Sequence, residues 1–180
     1  MAFYEHVFLM RQDLSASQVE DISKKIKDII EADQGKVTKI EQWDLMNLAY
    51  KVKKNKKAYF TLMNLDVSPE TLKKVQQSMS VNENILRFLT IKVDELDNNP
   101  SPVLNEIKGH NDHSDSQNDD DVLIEKNVNY KNVEYIKRFI TERGKILPRR
   151  LTMSDSQGQR KIAQAIKRLR FLALISPLYK

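Results

Sequence analysis

The sequence predicts an α+β chain: a four-stranded antiparallel sheet with two helices on one face, then a small, mostly α-helical basic unit. Two observations carry this. Over residues 1–97 the apolar positions alternate between strand and helix spacing in the order βαββαβ, and beyond residue 121 the spacing is helical and the charge strongly basic. A polar, acidic stretch with no apolar period separates the two blocks.

The charge distribution sharpens that division. The net charge of +5 hides 15 Lys/Arg against 15 Asp/Glu in residues 1–97, 1 against 6 in residues 98–121, and 14 against 4 in residues 122–180. A neutral block, an acidic connector and a block of net +10 predict two units with different work, the basic one facing an anionic partner. With 40% hydrophobic residues, an ordinary core is available.

In the first block, Tyr4 to Met10 is rich in aromatic and β-branched residues and reads as a strand. Ser15 with Gln18 forms a capping-box signal for the helix that follows, and Ser17 with Glu20 offers the same signal two residues later. Val19, Ile22, Ile26, Ile29 and Ile30 repeat at helical spacing, and Gly35 is expected to end the helix. Lys36 to Val52 and Lys57 to Leu65 alternate as strands around a basic tip, Lys53-Lys54-Asn55-Lys56-Lys57, which reads as a hairpin turn. Ser68 and Pro69 open a second helix with Leu72, Val75 and Met79 inward, and Ile85 to Val93 is the last strand. This is the split βαβ order of ferredoxin-like folds, which leaves one sheet face for solvent or a partner. Trp43 and Tyr50 read first as core or half-buried sheet residues. The lysines at the tip read as a solvated turn, with RNA contact as the alternative.

These residues also resemble a family. Tyr4-Glu5, Leu14-Ser15, the run Glu41-Gln42-Trp43-Asp44-Leu45-Met46-Asn47-Leu48-Ala49-Tyr50-Lys51-Val52-Lys53-Lys54 and Leu86-Arg87-Phe88-Leu89-Thr90-Ile91-Lys92 look like bacterial small-subunit ribosomal protein six. Asp44 and Met46 stand where that family more usually has glycine and arginine.

Residues 98–121 are expected to be a disordered linker. They open on Asn98-Asn99-Pro100-Ser101-Pro102 and continue as an acidic run nearly free of apolar side chains, which buries too little surface to offset the entropy of ordering. His110 and His113 lie there among aspartates, and a flexible acidic segment is a poor preorganised metal site, so no metal or other cofactor is expected.

In the second block, Asn132 is expected to cap a helix reaching Arg143, with Val133, Ile136 and Ile140 inward and Gly144 as its left-handed terminator. Arg143-Gly144-Lys145-Ile146-Leu147-Pro148-Arg149-Arg150 follows. Pro148 forbids one uninterrupted helix and pushes Leu147 toward extended geometry. A stiff extended basic segment suits a phosphate backbone, which arginine can grip in bidentate fashion. Read alone, the run could equally be a solvated loop. Ser154 with Gln157 then signals a helix to about Ala173. On a wheel of about 100° per residue, Ile162, Ala165, Ile166, Leu169, Leu172 and Ala173 share one arc. Arg160, Lys167, Arg168 and Arg170 fall outside it and Lys161 flanks it. Such a helix could also lie on a membrane. The basic run beside it and the lack of aromatics other than Phe171 favour RNA.

Here the resemblance is to bacterial small-subunit ribosomal protein eighteen. It rests on Tyr130-Lys131, Arg138-Phe139-Ile140, Glu142 through Arg150, Gln159-Arg160-Lys161 and Ala165-Ile166-Lys167-Arg168. Leu169 replaces a usual alanine and Ile175-Ser176-Pro177 a usual leucine–proline ending, and the cysteines that suit some relatives to zinc are absent.

The two resemblances imply neighbours that bind the central domain of small-subunit rRNA together. The expected rRNA contacts are Arg143, Lys145, Arg149, Arg150, Arg160, Lys161, Lys167, Arg168 and Arg170, made more to shape and backbone than to base edges. The basic block is expected to dock its apolar helix faces on the first unit and to meet neighbouring small-subunit proteins. The alternative is an RNA-binding regulator that represses its own messenger. An enzyme is not expected: there is no Gly-rich phosphate loop, no metal-ligand spacing and no nucleophile–base set. Lacking cysteine, a secretory leader or a run of about 18 apolar residues, the sequence predicts a cytoplasmic protein.

Overall fold

The computed structural model describes residues 2–107 and 128–177. The chain divides into two compact units, Met1–Asn99 and Pro100–Lys180.

The first unit begins with β1 (Ala2–Arg11), α1 (Ala16–Ala32) and β2 (Lys36–Val52). It continues with β3 (Asn55–Val67), α2 (Pro69–Val81) and β4 (Ile85–Val93). The strands form one sheet in the order β2-β3-β1-β4, every pairing antiparallel. Side chains alternate between faces. Tyr4, Phe8 and Met10 of β1 and Met63, Leu65 and Val67 of β3 pack with Val19, Ile22, Ile26 and Ile30 of α1 and Val75 and Met79 of α2. The opposite face carries Val7 beside Leu62 and Leu9 beside Phe60, with the buried Trp43 stacked on Phe60 at 6.2 Å between ring centroids. The Trp43 indole N–H donates to Glu41 Oε2 (3.0 Å), and Lys39 Nζ lies 2.5 Å from Glu41 Oε1. Tyr50 is half-buried, its hydroxyl accepting from Arg87 (2.6 Å).

Local chemistry sets the ends of these elements. Ser15 caps α1 with a full capping box: its hydroxyl accepts from Gln18 N–H and Gln18 Oε1 accepts from Ser15 N–H. Ser68 caps α2, with Pro69 at the first helical position. The end of α1 corrects the sequence reading. The left-handed residue is Gln34 (φ 62°), and Gly35 sits one position later, its N–H bonded to Ile30 O (2.9 Å). Gly35 is required for another reason: a Cβ there would stand 2.7 Å from Val67 Cγ1 and 2.8 Å from Ile30 Cγ2. Asp44, in the position where the resembling family favours glycine, takes φ 57° at a break in the β2–β3 register. The β2–β3 turn is only two residues long, Val52 pairing with Asn55, and both Lys53 (φ 45°) and Lys54 (φ 71°) are left-handed.

His6 is fully buried among these layers, Nδ1 2.8 Å from Thr90 Oγ1 and Nε2 2.9 Å from Met79 Sδ. Burial lowers its pKa to about 4, because the imidazolium form would lose its hydration there.

In the second unit a short helix, α3 (Pro102–Ile107), forms inside the stretch expected to be disordered. Its first turn closes through Leu104 N–H to Ser101 O (2.9 Å), and Ser101 and Val103 are buried, so the few apolar residues before the acidic run suffice for a turn of helix. His110, His113 and the aspartates of the acidic run lie outside the described residues. After these come α4 (Val133–Lys137), α5 (Arg149–Thr152) and α6 (Ser156–Phe171). Among the described residues no helix is long and apolar enough to cross a membrane.

Candidate nucleic-acid interface

The basic run is shaped by a hairpin, not by the end of a long helix. Asn132 caps α4 as expected, its Oδ1 accepting from Tyr135 N–H (3.2 Å), but the helix stops at Lys137 and does not reach Arg143. The chain then doubles back. Ile140 pairs with Ile146, and Leu147 N–H donates to Phe139 O (2.9 Å). A turn closes through Gly144 N–H to Thr141 O (2.8 Å) and Thr141 N–H to Lys145 O (2.8 Å), while the Thr141 hydroxyl accepts from Lys145 N–H (3.0 Å). Gly144 does adopt a left-handed φ of 79°, as the bulge residue of this hairpin and not as a helix terminator. The hairpin sets the apolar pair Phe139-Ile140 against the apolar pair Ile146-Leu147 across the turn.

Pro148 is extended, with ψ 156°, and the paired arginines follow in α5, a single helical turn. The extended segment therefore runs to Pro148, and Arg149 and Arg150 present from a helix start instead. Met153 (φ 51°) ends that turn. The start of α6 is also shifted by one residue. Asp155 caps it, Oδ1 accepting from Gly158 N–H at 2.5 Å, and the Ser154–Gln157 box does not form. Ser154 is buried and engaged elsewhere, and the carboxylate next to it is the stronger acceptor.

Two side chains of α6 fasten the run. Gln159 Nε2 donates to Leu147 O (2.8 Å), and its Oε1 lies 2.8 Å from Thr152 Oγ1 and 3.1 Å from Ser154 Oγ. About three turns further on, the Arg170 guanidinium donates to Gly144 O. One end of the run is thus held by Gln159 and the other by Arg170. These bonds bring Arg143 and Lys145 toward the end of α6 that carries Lys167 and Arg168. They bring Arg149 and Arg150 toward the end that carries Arg160 and Lys161.

Beneath them, Ile162, Ala165, Ile166, Leu169, Leu172 and Ala173 are all buried, the arc predicted from the wheel. The helix closes with Leu174 N–H on Leu169 O (3.0 Å) and Ala173 N–H on Arg170 O (3.2 Å), Ala173 being left-handed. Arg143, Lys145, Arg149, Arg150, Arg160, Lys161 and Lys167 are exposed, whereas Arg168 and Arg170 are partly covered. Arg149 Nε also donates to Ser154 O (3.1 Å). Sequence reasoning missed Gln159 as a fastening residue, since nothing in a helical wheel marks a glutamine that reaches back to a loop carbonyl. It also passed over Leu151 and Met153, which stand exposed beside the arginines.

Compared with known proteins, residues 3–92 match the family model described as ribosomal protein S6, and residues 124–175 match that of ribosomal protein S18. The small ribosomal subunit protein bS6 of Azorhizobium caulinodans is 48% identical over 104 residues, 58% of this chain and 69% of that protein. The bS6 of Chelativorans sp. is 52% identical over 104 residues, 58% of this chain and 70% of that protein. A crystal structure of 30S ribosomal protein S6 from Thermotoga maritima aligns with a TM-score of 0.49 at 24% identity, covering 51% of this chain and 87% of that one.

Proposed function

The chain belongs to the ribosomal protein S6 family and is a component of the small ribosomal subunit, and from that premise we propose that it joins two rRNA-platform modules in one polypeptide. Residues 1–97 are the scaffold module and residues 122–180 the rRNA-binding module, with the acidic stretch as tether. The role is structural: the chain binds the central domain of small-subunit rRNA in the bacterial cytoplasm and carries out no reaction. The observation that supports this reading is the S18-type match coinciding with the net +10 segment, in which the basic run Arg143–Arg150 is fastened to a helix that carries further arginines and lysines. Arg143, Lys145, Arg149, Arg150, Arg160, Lys161, Lys167 and Arg168 are assigned to phosphates. Arg170 serves the same surface by holding the hairpin.

The second module docks on the first. Val7, Leu9, Phe60 and Leu62 give the sheet an apolar face on the side away from α1 and α2, and a block of 59 residues without cysteine is marginal alone. A tether sets the effective concentration of the pair on the order of millimolar. Expressed separately, residues 122–180 should fold only when residues 1–97 are supplied, and a cooperatively folded monomeric fragment would count against docking.

Sedimentation tests the function itself. The full chain should travel stoichiometrically with small subunits through a high-salt gradient, and a regulator acting only on its own messenger should not. At the surface, Arg149→Ala should lower the log–log salt slope of rRNA binding by about one. An unchanged slope removes Arg149 from the interface.

A further inference from the structure

We infer that the β2–β3 turn of the first unit is a second contact for RNA phosphates. The inference rests on the rRNA reading above and extends it to a unit whose net charge is zero. That zero conceals a local excess. Lys53, Lys54, Lys56 and Lys57 fall within five residues that contain no acid, and all four are exposed.

The backbone makes this placement unusual. A two-residue turn with positive φ at both positions favours asparagine and glycine, yet Lys53 and Lys54 occupy both. A side chain bearing a Cβ is strained in that region, and strain retained at an exposed tip points to use rather than to packing. Protection of the β2 edge against aggregation does not require it, because Lys36, Lys39 and Lys51 already stand along that strand. Lys53 and Lys54 line a polar cleft of about 340 Å³ together with Arg11, Asn55 and Glu83. Lys53 Nζ donates to Ile85 O (3.4 Å), and Arg11 pairs with Asp13 (3.0 Å), which with Leu86 also lines the cleft. The occupant is a phosphodiester backbone. Compact ammonium charges suit phosphate oxygens, whereas a protein partner would need aromatic or apolar anchors, and the turn itself has none.

The test is a salt titration of the full chain on a transcript of the central domain of small-subunit rRNA, with two turn variants. Lys53→Gln with Lys54→Gln removes the charges and keeps the backbone strain. Lys53→Asn with Lys54→Gly removes the charges and relieves it, so its Tm should rise. Both should lower the log–log slope by about 1.4–1.8 and weaken binding roughly 30-fold at about 0.1 M salt. Wild-type slopes in both variants would overturn the inference. If those slopes stay unchanged while Arg149→Ala still lowers its own, only the turn contact falls. If the wild-type chain shows no salt-dependent binding, the rRNA reading falls and takes the turn with it.

Discussion

The two units reach order by different routes. In Met1–Asn99 the sheet register and two capped helices define the structure, and apolar residues from strands and helices fill one continuous core. Among the described residues of Pro100–Lys180 the regular elements are short apart from α6, and the basic loop owes its shape to individual side chains reaching backbone carbonyls. Distributed packing tolerates the loss of any one polar contact. A loop fastened at two points does not, so the same kind of substitution should have different consequences in the two units.

The largest expected effect is in the first unit. Phe8→Ala removes a ring with no exposed surface and should cost about 3–5 kcal/mol, measured by denaturant unfolding with the whole sheet lost in one transition. Separate melting of single strands would break the contrast.

His6 is next. Its folded-state pKa of about 4 lies below the ordinary 6.5, so the unfolded chain takes up the proton first as pH falls. Stability should be level above about pH 7 and should fall by about 3 kcal/mol between pH 6.5 and 4, at about 1.4 kcal/mol per pH unit. His6→Leu should flatten that part of the profile, and a variant that keeps the full slope would assign it elsewhere.

In the second unit, Gln159→Ala should cost about 1–3 kcal/mol by removing the Nε2 donor from the Leu147 carbonyl and one partner each from the Thr152 and Ser154 hydroxyls, which keep their mutual contact. Hydrogen exchange should quicken at the Phe139–Leu147 pairing and leave β1 and β3 unchanged. Equal acceleration in both units would show that the two are not independent in stability. The smallest effect is a gain: Asp44→Gly should add about 0.5–1 kcal/mol by relieving the positive φ at an exposed position.

The same contrast explains what could be read in advance. Caps, amphipathic faces and strand order depend on residues close in sequence, so Ser15–Gln18, Ser68–Pro69 and the buried arc of α6 were legible. The hairpin at Thr141–Lys145 was not, because Glu142-Arg143-Gly144 satisfies a helix-terminator pattern as well as a turn pattern, and pairing of Ile140 with Ile146 decides between them. Asp155, the stronger acceptor, caps the helix while Ser154 is turned inward to Thr152 and Gln159. Gln34 rather than Gly35 took the left-handed position because Gly35 is needed where Val67 and Ile30 leave no room for a Cβ. Among the nine cations expected to meet RNA, helical spacing could not single out Arg170, whose guanidinium reaches the Gly144 carbonyl.

The paired fastening of one loop to one helix has a kinetic corollary. Gln159 and Arg170 belong to the same helix, so the arginine-bearing segment is already shaped before the rRNA contact proposed above is made. Little ordering entropy is then left to surrender on capture. The speed of association should accordingly be governed by electrostatic encounter, with no slower rearrangement following it.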